Sequence, residues 1–324
     1  MKQWSRQFVT VAGNSFTVLM GDPLTFIIHI FIICVTLLIA CLPGFTLGGQ
    51  LKLVRDQAVA LTFIAGSLLA AVGAARIICD DLRKGMLPTI MSRPVSFSAL
   101  ITGKWAGVVL TLAVILTTST TAYLWSSRII AREHFIEPLG LMVFMGAVGI
   151  TLLAVAVRHY RKGGNYMWQA NLLLLPVLTV SFIVLNLWGY NGAEQSYGIL
   201  VDWRGALVYV YLFMAFSVFT AVVTLLAVLM DVSMLLAFSA VLFFIGLFSG
   251  YIIDQAAPGH FLNAVCNVIL PNWQQYWVTE IISSPKVLEI PFILSRCLGA
   301  FLQSVLFLIA ATVFFERKEI AGSI

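Results

Sequence analysis

Apolar runs long enough to cross a bilayer recur from one end of this chain to the other, and they leave few choices of fold. A hydrocarbon core roughly 30 Å thick asks for about 20 residues of apolar helix, and inside it every backbone N–H and C=O must be bonded within the protein. The sequence meets this demand at residues 23 to 42, 57 to 78, 105 to 125, 138 to 157, 170 to 188, 205 to 230, 232 to 253 and 291 to 315. The expected fold class is an all-α polytopic membrane helix bundle of about eight transmembrane helices. Composition agrees: 60% of the 324 residues are hydrophobic and 10% charged, with a mean hydropathy of +0.99, against about 25% charge in a soluble domain. The connections are too short to hold a separate soluble domain.

The placement of charge speaks to topology. With the N-terminus in the cytoplasm, the inner segments hold Lys2, Arg6, Arg76, Arg83, Lys84, Arg93, Lys104, Arg158, Arg161, Lys162, Arg317 and Lys318, the larger share of the 19 basic residues. The positive-inside rule then places both termini in the cytoplasm. Arg128 and Arg132, on the connection between the third and fourth spans, argue the other way. The bases follow the loops instead of gathering on one face, so the net charge of +5 does not point to nucleic acid. The cysteines (Cys34, Cys41, Cys79, Cys266, Cys297) form no CxxC pair and mostly sit in apolar runs, as small hydrophobes do.

Two segments are apolar without being long enough to span. Residues 1 to 22 carry Trp4, Phe8, Val11, Phe16 and Leu19 at helical spacing, the pattern of an amphipathic helix lying in the inner interface. Residues 258 to 286, with Trp273, Tyr276 and Trp277, read as a re-entrant or surface-lying helix pair at the outer interface. Between the sixth and seventh spans only "MDVS" intervenes, which places Asp231 at a tight turn among the headgroups.

Intrinsic chemistry is sparse. "SALITGKWAG" lacks the first glycine and the hydroxyl residue of a phosphate loop, so no ATP site of that kind is encoded. The histidines His29, His134, His159 and His260 lack zinc-ligand spacing, and no metal is expected. No Asp or Glu falls at mid-span, whereas ion-driven carriers place acids there, so the driving force is expected from outside this polypeptide. Polar residues inside spans are His29, the run from Thr117 to Thr121 (Thr117, Thr118 and Thr121 above all), Asn171 and Asn186. They are candidates for lining a path; equally, Ser and Thr bond back to their own helix and Asn and His pair across helices.

Residues 79 to 98 form a charged cytoplasmic hairpin between the second and third spans. Gly85 suits a helix end, Pro88 suits the first turn of a short helix, Pro94 stops it, and Ser96 or Ser98 can cap the third span. Its tip (Met86, Leu87, Ile90, Met91) is apolar and framed by Asp80, Asp81, Arg83, Lys84, Ser92 and Arg93, the composition of a docking knob. A plain solvated loop is the other reading.

The layout resembles permease subunits of type-2 ATP-binding cassette (ABC) transporters, whose second and third spans are joined by a coupling hairpin with a glycine, a short apolar helix, a proline and then "GK". Here these read Gly85, "MLPTIMS" at 86 to 92, "RPVS" at 93 to 96 and "TGK" at 102 to 104. The N-terminal helix, "ILPNW" at 269 to 273 and "FFERKEI" at 314 to 320 are similar to that family as well. The chain departs from it in having Lys84 and Met86 where an acid and a threonine are common, and in having eight spans in place of six, with 138 to 188 as the extra pair. The resemblance implies a non-enzymatic transmembrane permease domain over 23 to 324 in a plasma membrane (a bacterial inner membrane). It further implies a homodimer or a pairing with a related permease chain, and a separate ABC ATPase subunit that binds the ATP. An exporter fits the short outer loops. A secondary transporter or channel, and a non-transporting membrane scaffold or lipid-modifying enzyme, are the alternatives.

Overall fold

The computed structural model describes residues 2 to 42, 49 to 80, 96 to 132, 135 to 189, 196 to 256, 270 to 283 and 290 to 322. They form α1 (Lys2–Met20), α2 (Pro23–Cys41), α3 (Gln50–Ala74) running into a π-helical segment (Ala75–Cys79), α4 (Phe97–Ile129), α5 (Pro138–Lys162) and α6 (Tyr166–Leu185). α7 (Ala206–Leu229), α8 (Val232–Ala256), a 3-10 turn (Trp273–Tyr276), the short α9 (Thr279–Ser283) and α10 (Ile290–Gly322) complete the chain. Eight of these helices, α2 to α8 and α10, are long and apolar enough to cross a membrane. The protein is an all-α polytopic membrane bundle.

Local sequence sets the helix starts. Asp22 caps α2, its carboxylate accepting from the Thr25 amide with Pro23 in the first turn. Ser96 caps α4 by accepting from the Ala99 amide, and Asn165 caps α6 by accepting from that of Trp168. α5 ends at Gly163, whose φ of 70° only glycine adopts without strain. Asp231 lies between α7 and α8, with its carbonyl accepting from the Leu235 amide, at the tight turn expected for it.

α4 is the hub. It packs against α1, α2, α3, α5, α6, α7 and α10, whereas α5 and α6 form a peripheral pair that reaches the bundle mainly through α4 and α2. At 33 residues α4 is longer than the 105 to 125 stretch that hydropathy marks, and its length is about 50 Å. The excess is held at the inner end by α1. α1 is amphipathic, as expected, but it does not merely rest on the interface. Ala12, Ser15, Leu19 and Met20 are buried in the bundle, while Trp4, stacked on half-buried Phe8 with ring centroids 5.4 Å apart, remains exposed. Close approach is made by Gly103 and Gly107 of α4: a Cβ on Gly107 would lie 2.4 Å from the Ser15 Cβ, and one on Gly103 would lie 2.9 Å from that of Val11. Small residues four apart are what let two helix backbones meet in lipid.

Gly107→Leu should therefore force α1 from α4 and lower stability by about 1–3 kcal/mol, read as a fall in the thermal midpoint of the detergent-purified chain. Gly149→Leu, where nothing lies within 4 Å of an added Cβ, should leave the midpoint unchanged.

Candidate functional site

Asp80 is the one docking-knob residue among the described residues; Asp81, Arg83, Lys84, Gly85, Met86, Leu87, Pro88, Ile90, Met91, Ser92, Arg93 and Pro94 lie outside them. Its two stems, however, are well defined and bonded to each other. The chain enters through the π-helical segment, a geometry found mostly as single turns at functional positions. It leaves through the first turns of α4. Lys104, which the sequence offers as the lysine of a "GK" and as one more inner-loop base, is buried inside α4 and donates from Nζ to the Ile77 carbonyl at 2.6 Å. That carbonyl belongs to the π turn, so the lysine ties the exit stem to the entry stem.

Further bonds fix the same platform. Trp4 Nε1 donates to Ser98 Oγ at 3.1 Å, and Gln7 Oε1 accepts from the Ser96 amide at 3.3 Å. Arg76, within the π turn, pairs with the Asp22 carboxylate that caps α2. Cys79 Sγ faces the carbonyls of Ala227 and Met230 at 3.4 and 3.6 Å, and Lys318 Nζ donates to the Val228 carbonyl at 3.1 Å. Five helices thus converge on the base of residues 81 to 95: α1, α2, α4, α7 and α10.

The proposed path residues fall in three separate places. His29 Nδ1 and Asn171 Oδ1 lie 3.0 Å apart across α2 and α6, and Asn171 Nδ2 donates to the Met20 carbonyl at 2.9 Å, closing the end of α1. Both side chains are fully buried, which makes them an interhelical tie. On α4, Thr117, Thr118 and Thr121 each donate to a carbonyl one turn back, those of Ala113, Val114 and Thr117. Thr117 faces outward and the other two are buried. Asn186 accepts from Arg128 at 2.9 Å. Among the described residues no three His, Cys, Asp or Glu side chains gather as a metal site.

The outer end holds charges that the sequence does not advertise. Arg128, which looks like an exposed loop base, is in the last turn of α4 and 1% exposed. Its Nε and Nη2 donate to the two Glu137 carboxylate oxygens at 3.0 and 3.3 Å, and the remaining donors reach the carbonyls of Leu185, Trp188 and Gly189. A second pair, Arg55 with Asp202 at 3.4 Å, is joined by the Tyr123 hydroxyl donating to the same carboxylate.

Of the segment from 258 to 286, residues 270 to 283 are described and the rest lies outside the described residues; the described part forms the 3-10 turn and α9, with Trp273 and Tyr276 buried against the bundle. Trp273 Nε1 donates to the Phe243 carbonyl, Gln274 Nε2 to that of Leu247, and Ser249 Oγ to that of Pro271, at 3.0 to 3.2 Å. Gly246 makes room: a Cβ there would fall 2.0 Å from the Trp273 indole nitrogen. Below Trp277, α3, α7 and α8 enclose an apolar groove of about 520 Å³.

No family model matches the chain, and no curated protein or solved structure matches it.

Two measurements probe these ends. Lys104→Met should speed amide exchange across residues 75 to 80 by about tenfold or more, the worth of a charge-assisted hydrogen bond of about 1.5–3 kcal/mol. Glu137→Gln, by leaving the Arg128 guanidinium uncompensated, should cost about 3–5 kcal/mol of stability in chemical unfolding, and Arg128→Met together with Glu137→Leu should recover most of that loss.

Proposed function

We propose that this chain is the membrane-spanning permease subunit of an ATP-driven ABC exporter of the type-2 kind, worked from the cytosol by a separate ATPase. The observation that carries the reading is the clamp between Lys104 and the Ile77 carbonyl. A lever is of use only if force applied at its tip reaches the helices behind it, and here both stems of residues 81 to 95 are joined by a buried bond and braced by α1, α2, α7 and α10. A solvated loop that merely satisfied topology would need none of this.

The distribution of charge supports the same reading. The buried ion pairs Arg128 with Glu137 and Arg55 with Asp202 sit toward the outer ends of their helices, and no acid among the described residues lies at mid-span to carry a coupling ion. ATP bound on a partner would supply the work, and the helices would rock about fixed polar ties as rigid bodies. Both termini and the lever would lie in the cytosol of a bacterial inner membrane, with the path completed by a second copy or a related permease chain.

The decisive experiment is isolation of the tagged full-length chain from native membranes. A phosphate-loop ATPase is expected to come with it, and Met91→Asp combined with Arg93→Glu should reduce its recovery at least about tenfold, the effect of removing an interface hot spot, without shifting the thermal midpoint. Equal recovery with the variant, labelling of a Met91→Cys variant solely from the extracellular side, or solute movement by the chain reconstituted alone would each overturn the proposal.

A further inference from the structure

The groove beside α3 has a chemistry of its own. Its floor is Phe63, Ser67, Ala71 and Phe219, all buried, while Ile64, Leu68 and Phe244 at its edges are exposed, so it opens sideways to lipid and not to water. It follows α3 from Ala60 to Val72, about 18 Å at 1.5 Å per residue. A volume of about 520 Å³ drawn out along one helix suits an extended hydrocarbon chain. No charged residue lines it.

Into this hydrocarbon channel project two hydroxyls, one from each wall: Ser67 of α3 and Ser239 of α8, 4% and 2% exposed. Neither has a hydrogen-bond partner among the described residues. Thr25, Thr36, Thr220 and Thr224 are also buried without such a partner but do not line the groove, whereas many helical hydroxyls return to a carbonyl one turn back. Thr62 does so on the same helix at 2.8 Å, and Ser119 and Ser304 do so elsewhere at 2.8 Å. In lipid an unpaired hydroxyl is costly, and two that line one apolar groove call for a partner there.

We propose that the groove is a binding site for a neutral single-chain amphiphile, drawn laterally from the bilayer, whose one oxygen function is held between Ser67 and Ser239. A carbonyl accepts from both serines; a hydroxyl accepts from one and donates to the other. A charged headgroup finds no counter-ion there and stays outside. The site needs nothing of the proposed ATPase, so it stands or falls separately from the transport reading.

The test uses the full-length chain alone in lipid nanodiscs, with a long-chain fatty acid methyl ester bearing a mid-chain diazirine and an alkane diazirine of equal length as probes. On irradiation the ester should label peptides covering 60 to 72 and 236 to 247 about fivefold more than the alkane, the fold-change of one hydrogen bond. Ser67→Ala with Ser239→Ala should lower ester labelling to the alkane level and leave alkane labelling as it was, the latter showing that the groove persists. Ser239→Ala alone, a smaller perturbation, should lower the ester signal in the same direction. Equal labelling of the native chain by both probes, or an ester preference that survives the serine substitutions, would overturn the assignment.

Discussion

Two buried cations hold α4, and the rest of the bundle is arranged around α4. Lys104 and Arg128 are 24 residues apart on one helix, about 36 Å along its axis, just beyond a hydrocarbon core of roughly 30 Å. Neither can be left unpaired once removed from water. The inner one is satisfied by a carbonyl of the π turn at the end of α3, and the outer one by Glu137 and by carbonyls at the end of α6. The membrane's intolerance of unpaired charge thereby converts two side chains into fixed joints between α4 and its neighbours.

Those joints differ in kind. The outer one is a closed cluster in which Arg128 meets several acceptors and Glu137 is fully buried, the sort of arrangement that resists movement. The inner one is a single lysine on a π turn, with α1 laid along the seam where Gly103 and Gly107 give up their side chains. The groove between α3 and α8 is walled on one side by α8, the least buried of the spanning helices, and Trp277 lines it as well.

Much of this was legible in the chain. The spans appeared because burial in lipid rewards uniform hydropathy, which needs no knowledge of partners. Asp231 falls at the turn that local rules expect and Ser96 is one of the two caps the sequence offers, while His29 and Asn171 read as path-lining candidates or as groups that pair across helices, with no partner specified. Arg128 was misjudged as a loop base because a sequence window shows its charge and not the carboxylate folded back from Glu137. Lys104 reads in the sequence as half of a dipeptide and as one more inner base, with nothing to mark its partner. The glycines at 103 and 107 read as ordinary helix positions until α1 filled the space above them, and α1 itself was placed at the surface because amphipathicity cannot distinguish a headgroup layer from a neighbouring helix.

By itself, then, the sequence determined that this protein is an all-helical membrane bundle and roughly where each helix crosses, since these depend on residues near one another along the chain. The tertiary structure alone decided which polar groups are joints and which face a groove: that Lys104 clamps the stems, that Arg128 is neutral in effect, and that Ser67 and Ser239 point into one apolar channel. Each of those facts is a pairing between helices remote in sequence, and in a medium that offers no water the energy of a polar side chain is set by whatever stands opposite it.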